Sequence, residues 1–184
     1  MSTFSLAILG LISQKARSGY DLRKVFSTTP MGHFSSSPGA IYPALKRIQE
    51  QGWITGTIEK KQTLRPRQVY RLTKKGEEVL RQHLSQPVTH EDVVWHFDDL
   101  MLRFAFMGEI LGREETLRFL HAFLSGIESY VSALKQHLEA VRESMPPNGR
   151  FAMENGIEHY KMNARWARRV IEELKGRKAS QRRE

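Results

Sequence analysis

Residues 35–75 read SSSPGAIYPALKRIQEQGWITGTIEKKQTLRPRQVYRLTKK, and the rest of the chain is organised around them. The first part predicts a helix. Ser37 suits the N-cap, because its hydroxyl can accept from a free amide of the first turn. Pro38 suits the first helical position, where a missing N–H costs nothing. At 100° per residue, Ile41, Ala44, Leu45 and Ile48 share one face. Gly39, Pro43, Lys46 and Glu50 share the other, flanked by Tyr42 and Arg47. One side is built to sit on a core. The other offers a small residue, a phenol and two cations. Gly52 is a natural residue to end such a helix.

Residues 53–59 and 68–72 are rich in β-branched and aromatic side chains and read as strands. The link between them carries Lys60, Lys61, Arg65 and Arg67 and no acid. A helix with a polar outer face followed by a hairpin with a cationic tip is the plan of a winged helix-turn-helix. In that plan the helix enters the major groove and the tip lies along phosphates. The DNA-contacting set expected from this reading is Ser36, Ser37, Gly39, Tyr42, Lys46 and Arg47 on the helix, with Lys60, Lys61, Arg65 and Arg67 on the wing. Only Arg among these can present a fork to guanine O6 and N7. The wing cations are expected to add affinity without sequence preference.

Four pieces of the chain carry a resemblance. They are LAILGLI at residues 6–12, SGYDL at 18–22, SPGAIYPAL at 37–45 and YRLTKKG at 70–76. In this order and spacing, residues 4–86 resemble the DNA-binding domain of the PadR family of transcriptional regulators. The resemblance implies a repressor-like protein that works as a homodimer on double-stranded DNA and releases it when an effector binds; no cofactor is expected. The family's effectors are varied, often aromatic or hydrophobic. Pro43 lies inside the predicted helix and removes a backbone bond to Gly39. The family pattern has a proline there too, so a local bend or a later helix start is expected.

Charge divides the chain. Net charge is +9. Residues 1–86 hold 14 Lys and Arg against 5 Asp and Glu, whereas residues 87–184 hold 15 of each. The whole excess lies in the half that is to meet a polyanion. A boundary is therefore placed at residues 86–87, giving a DNA-binding domain over 1–86 and a helical dimerisation domain over 87–184. Cysteine is absent, so disulfides and thiolate zinc sites are excluded, and a reducing cytoplasm is the expected location. No secretory leader is read at the N-terminus. No stretch approaches the roughly 20 apolar residues a spanning helix needs.

Outside the central stretch, residues 4–12 predict a short buried helix, 14–18 a turn, and 19–27 the first helix of the helix-turn-helix pair. Residues 28–36 are a loop. Thr73 caps a helix reaching about residue 85. Thr89-His90-Glu91-Asp92 reads as a capping box opening one helix over 92–107, followed by a break between Gly108 and Gly112. Two heptad seams follow. The first is Leu117, Leu120, Leu124, Ile127, Val131, Leu134, Leu138 and Val141. The second is Met153, Ile157, Tyr160, Ala164, Ala167, Ile171 and Leu174. Pro146 to Gly149 turns the chain between them, so the two predict an antiparallel, coiled-coil-like pair. Residues 175–184 form a charged tail. The fold class is thus mainly α with a small antiparallel β wing.

Phe119, Phe123, Tyr130, Trp166 and Val170 lie off the seams and are expected at a dimer interface, the alternative being cover by residues 92–107 of the same chain. Tyr20, Trp95, Phe97 and Phe104 are candidate effector contacts, the alternative being plain core. For catalysis the chain has no Gly-rich phosphate loop, nucleophile elbow or helical zinc-protease motif. An enzyme is not expected. A second class is a metal sensor or hydrolase using His90, Glu91, Asp92, His96 and Asp99. An RNA or single-strand binder is disfavoured, because no aromatic platform is interleaved with the basic strands.

Overall fold

The computed structural model describes residues 1–29, 37–59 and 66–181. Two compact units divide the chain, Met1–Ser85 and Gln86–Glu184. The first runs α1 (Thr3–Gln14), β1 (Arg17–Ser18), α2 (Gly19–Thr28), α3 (Pro38–Glu50), β2 (Ile54–Glu59), β3 (Arg67–Leu72) and α4 (Lys74–Leu84). The second runs α5 (His90–Trp95), α6 (Phe97–Leu111), α7 (Arg113–Val141) and α8 (Pro147–Gln181).

In the first unit α1 is the central pillar. Leu6, Ala7, Ile8 and Leu9 are wholly buried, and Leu11 and Ile12 nearly so. An unbroken apolar run suits a helix packed on several sides, and α1 meets α3, α4 and β3. The inner face of α3 closes on it: Ile41, Ala44, Leu45 and Ile48 are at most 1% exposed, as their spacing predicts. After Glu50 the chain reverses at Gly52, whose φ of 74° is open to glycine without strain. Pro43 does not delay the helix. Helix α3 starts at Pro38 and continues through Pro43, whose ring is exposed.

β2 and β3 pair antiparallel from Ile54 with Leu72 to Glu59 with Arg67. The expected turn at residues 14–18 is in part a third strand. Arg17 and Ser18 pair with Tyr70 and Val69, giving the sheet order β1-β3-β2. Two residues are too short to show the alternation that marks a strand. Thr73 then caps α4, accepting from the Gly76 amide at 3.0 Å and donating its hydroxyl to the Gly52 carbonyl at 2.6 Å.

In the second unit Thr89 and Asp92 form the expected capping box, each side chain answering the other's amide. The single helix expected over 92–107 is two. His96, with φ −125° and ψ 33°, interrupts it, and α6 runs through Gly108 to Leu111. The break falls at Gly112, with φ 83°. Helices α7 and α8 pair extensively, with Leu120, Ile127, Leu138, Ile157, Ala164, Ala167 and Ile171 buried along the seams. α7 has already ended at Val141 when the chain turns, and Pro147 opens α8 rather than closing its predecessor. α8 continues to Gln181, into the segment expected as a loose tail.

Two of the five residues expected at a dimer face, Phe119 and Phe123, belong to the core instead. Phe119 and Phe123 are buried within one chain, 6% and 0% exposed. Their rings stack at 6.1 Å, Phe97 of α6 lies 5.7 Å from Phe123, and the Arg103 guanidinium sits 5.2 Å over Phe119. Trp166 meets Phe104 edge-on at 5.0 Å, and Tyr130 meets Tyr160 at 5.0 Å. Val170 is half-buried. α6 covers Phe119 and Phe123 within one chain, whereas Tyr130, Trp166 and Val170 stay half-exposed.

Candidate nucleic-acid interface

The outer surface of α3 is built by its cap and its buried face together. Ser37 has φ −72° and ψ 142° and accepts from the Ala40 amide at 3.3 Å. That fixes where the helix begins, and burial of Ile41 and Leu45 fixes its rotation. Ser37, Gly39, Tyr42, Lys46 and Arg47 are all exposed as a result. Among the described residues, a Cβ at Gly39 would meet only the Ser37 hydroxyl, at 4.0 Å. Lys46 pairs with Glu50 at 3.9 Å, both highly exposed. Such a pair is weak and gives way readily to a stronger anion. Arg47 borders a hollow of about 170 Å³ with Ser2, Ser5, Gln51 and Trp53, on the flank nearest the start of α1. Tyr42 is 52% exposed, with one ring edge turned to the start of α2.

Ser36, Lys60, Lys61 and Arg65 lie outside the described residues. Arg67 does not stand as a free wing cation. Its guanidinium lies 3.7 Å from Asp21 and 3.6 Å from Glu59. It therefore ties the base of the wing to α2, a role that sequence could not reveal because Asp21 lies far away in the chain. Asp21 is itself well held. Its carboxylate accepts from the Ser18 amide at 2.9 Å and the Ser18 hydroxyl at 2.8 Å. Burial pushes the Asp21 carboxyl up, but the two Ser18 bonds and the nearby Arg67 and Arg17 outweigh it and hold it below the ordinary value. Ile58, 70% exposed on β2 across from Gln68, is an apolar wing residue that the sequence reading passed over.

The four candidate effector residues do not share one environment. Tyr20 is 61% exposed on α2, with Arg23 at 5.4 Å from its ring centre. Trp95 is 76% exposed at the end of α5. Phe97 and Phe104 are engaged in the ring cluster of the second unit, Phe97 touching His159 and Tyr160 as well as Phe123. The acidic, histidine-bearing stretch is also committed. Asp92 accepts from the Thr89 amide and hydroxyl, both at 2.8 Å. Among the described residues, no three His, Asp or Glu side chains gather closely enough to hold a metal ion.

A helix presenting cations and a phenol, seated beside a two-stranded wing and braced by a third short strand, defines a winged helix-turn-helix, here joined to a second helical unit. Family comparison agrees. Residues 8–82 match the transcriptional regulator PadR-like family, and residues 98–175 match the family described as virulence activator alpha C-term. The first unit carries the PadR-like domain of transcriptional regulators. The chain is similar to the negative transcriptional regulator PadR of Bacillus subtilis, 25% identical over 179 residues, covering 93% of this chain and 97% of that one. The crystal structure of Bacillus subtilis PadR in complex with operator DNA aligns with 94% of this chain and 99% of its own, at 27% identity and a TM-score of 0.43. The same protein in complex with p-coumaric acid aligns with 95% and 99%, at 26% identity and a TM-score of 0.40. No helix among the described residues is long and apolar enough to cross a membrane.

Proposed function

We propose that this protein is a transcriptional repressor that binds an inverted-repeat operator as a homodimer and lets go when a small aromatic or hydrophobic effector binds. The observation that carries the reading is α3: its apolar face is wholly committed to the core, and its opposite face leaves Gly39, Tyr42 and Lys46 in the open. The excess positive charge of residues 1–86 supports the same partner. The Bacillus subtilis relative is named a negative regulator and has been crystallised with operator DNA and with p-coumaric acid, which supports both halves of the cycle. The regulator acts in the cytoplasm, beside the chromosome, and performs no catalysis.

The dimer interface is assigned to the helical unit. With Phe119 and Phe123 buried, the residues left for a second copy are the half-exposed Tyr130, Trp166 and Val170, the edge of the α7 seam at Val131, Leu134 and Val141, and the exposed Phe151 and Met162 of α8. A two-fold dimer places its α3 helices about one turn of duplex apart, or a multiple, so half-sites are spaced by ~10 bp. The effector must bind the DNA-incompetent form more tightly, since equal affinity for both forms shifts nothing. Selection from random duplexes tests the proposal. An enriched palindrome is expected; enrichment of RNA, of single strands, or of no sequence would reject it.

A further inference from the structure

We propose that Gly19 is a positioning residue for DNA recognition: its missing side chain leaves a notch at the start of α2 that fixes the Tyr42 ring, and so presets the phenol that α3 offers to the duplex. This rests on the repressor reading above. A Cβ at Gly19 would lie 2.6 Å from Tyr42 Cε1, 3.1 Å from Cζ and 3.3 Å from Cδ1. One whole edge of the ring therefore rests on the Gly19 backbone. Carbon atoms pack best at about 3.5–4.0 Å, so any side chain at this position displaces the ring.

The requirement is for space and not for an unusual backbone. Gly19 is the first residue of α2, behind the Ser18 cap, and is helical. Glycine is a poor choice for a helix compared with alanine, so helix formation does not explain it. Tyr42 is half-exposed, and burial alone would leave its ring free to move. The notch restrains it from one side. Tyr70 stands nearby: burial, and secondarily the closeness of Tyr42, push the Tyr70 hydroxyl up from its ordinary value. The sheet brings the parts together, because β1, which ends at Ser18, pairs Arg17 with Tyr70. A side chain ordered before its ligand arrives removes an ordering cost from binding.

The test uses full-length protein and the duplex recovered by selection. Gly19→Ala is expected to weaken duplex binding by about tenfold while leaving the melting temperature unchanged or higher, since alanine favours the helix. Tyr42→Phe keeps the ring in the notch and isolates the hydroxyl. The double variant Gly19→Ala with Tyr42→Ala should bind no more weakly than Tyr42→Ala alone, because the two act through one ring. Fluorine NMR of 3-fluorotyrosine protein reads the notch without DNA. Of five tyrosine signals, the one absent from Tyr42→Phe should move in Gly19→Ala. An unmoved signal, wild-type affinity in Gly19→Ala, or losses that multiply in the double variant would overturn the proposal while leaving the repressor reading intact. Failure of the wild-type protein to bind any duplex would overturn both.

Discussion

The two units solve the same packing problem with contacts of different reach. In the helical unit, α7 and α8 are long, joined by a short turn, and bury a seam that repeats every seven residues. In the winged unit the decisive contacts join segments far apart in the chain: β1 with β3, Arg67 with Asp21, Thr73 with Gly52. The first unit also carries all the net charge. A repeating seam tolerates damage spread along its length. A small core pinned by single long-range contacts, and loaded with like charges, does not.

Leu45→Ala should be the most damaging single truncation. The side chain is fully buried between α3 and the α1 pillar, and its removal is expected to cost about 2–5 kcal/mol in denaturant unfolding. Leu124→Ala, at a half-exposed seam position of α7, should cost clearly less in the same experiment. Equal costs would erase the contrast between the units.

The wing gives the next effect. Lys60→Ala with Arg65→Ala should flatten the plot of log affinity against log salt. Each phosphate left without its cation lowers the steepness of the plot by about 0.9, so two protomers predict a change of roughly 3.6 and one protomer roughly 1.8. An unchanged slope would rule out a phosphate-gripping wing.

Arg103 probes the other unit. It is 1% exposed and donates to the Gln86 carbonyl, and among the described residues its Nε has no hydrogen-bond partner. Burial lowers its pKa, opposed by Asp99 and Asp92. Gln86 is exposed, so water can replace the missing donor. Arg103→Met should therefore leave the melting temperature unchanged or raise it, in keeping with the cost of burying charge. A large fall would mean the guanidinium holds the helical unit together.

The smallest effect is on the acid side. Asp21 has a folded pKa below its ordinary 3.8. Its contribution to stability is therefore present above the unfolded value and lost as pH falls through the folded one. Wild type and Asp21→Asn should differ in melting temperature near neutral pH and converge as pH drops well below 4. A constant gap would assign the difference to something other than this carboxylate.

What could be read from the chain alone follows the reach of the forces involved. Ser37, Pro38, Gly52, Thr73 and the Thr89–Asp92 box act on neighbouring amides, so their residue types announce them, and the structure has each in place. The buried face of α3 was legible for the same reason: its period is local. The strand at Arg17–Ser18 has no pattern of its own and exists because Val69 and Tyr70 lie beside it. Arg67 looked like its neighbours in a cationic link, and only the fold brings Asp21 and Glu59 to it. Phe119 and Phe123 looked exposed because two helices cannot cover them, and the helix break at His96 that lets α5 and α6 turn over them leaves no mark in composition. Gly19 is the same kind of case, since its meaning lies in a ring on another helix.

Whether the basic front unit grips duplex DNA through phosphates is tested most directly by equilibrium titration of the full-length protein on its selected duplex, repeated across salt concentrations. With Lys60, Lys61 and Arg65 of two protomers on phosphates, log affinity should fall linearly with log salt at a slope of roughly −5. Binding that ignores salt, or no binding even in dilute buffer, would contradict it.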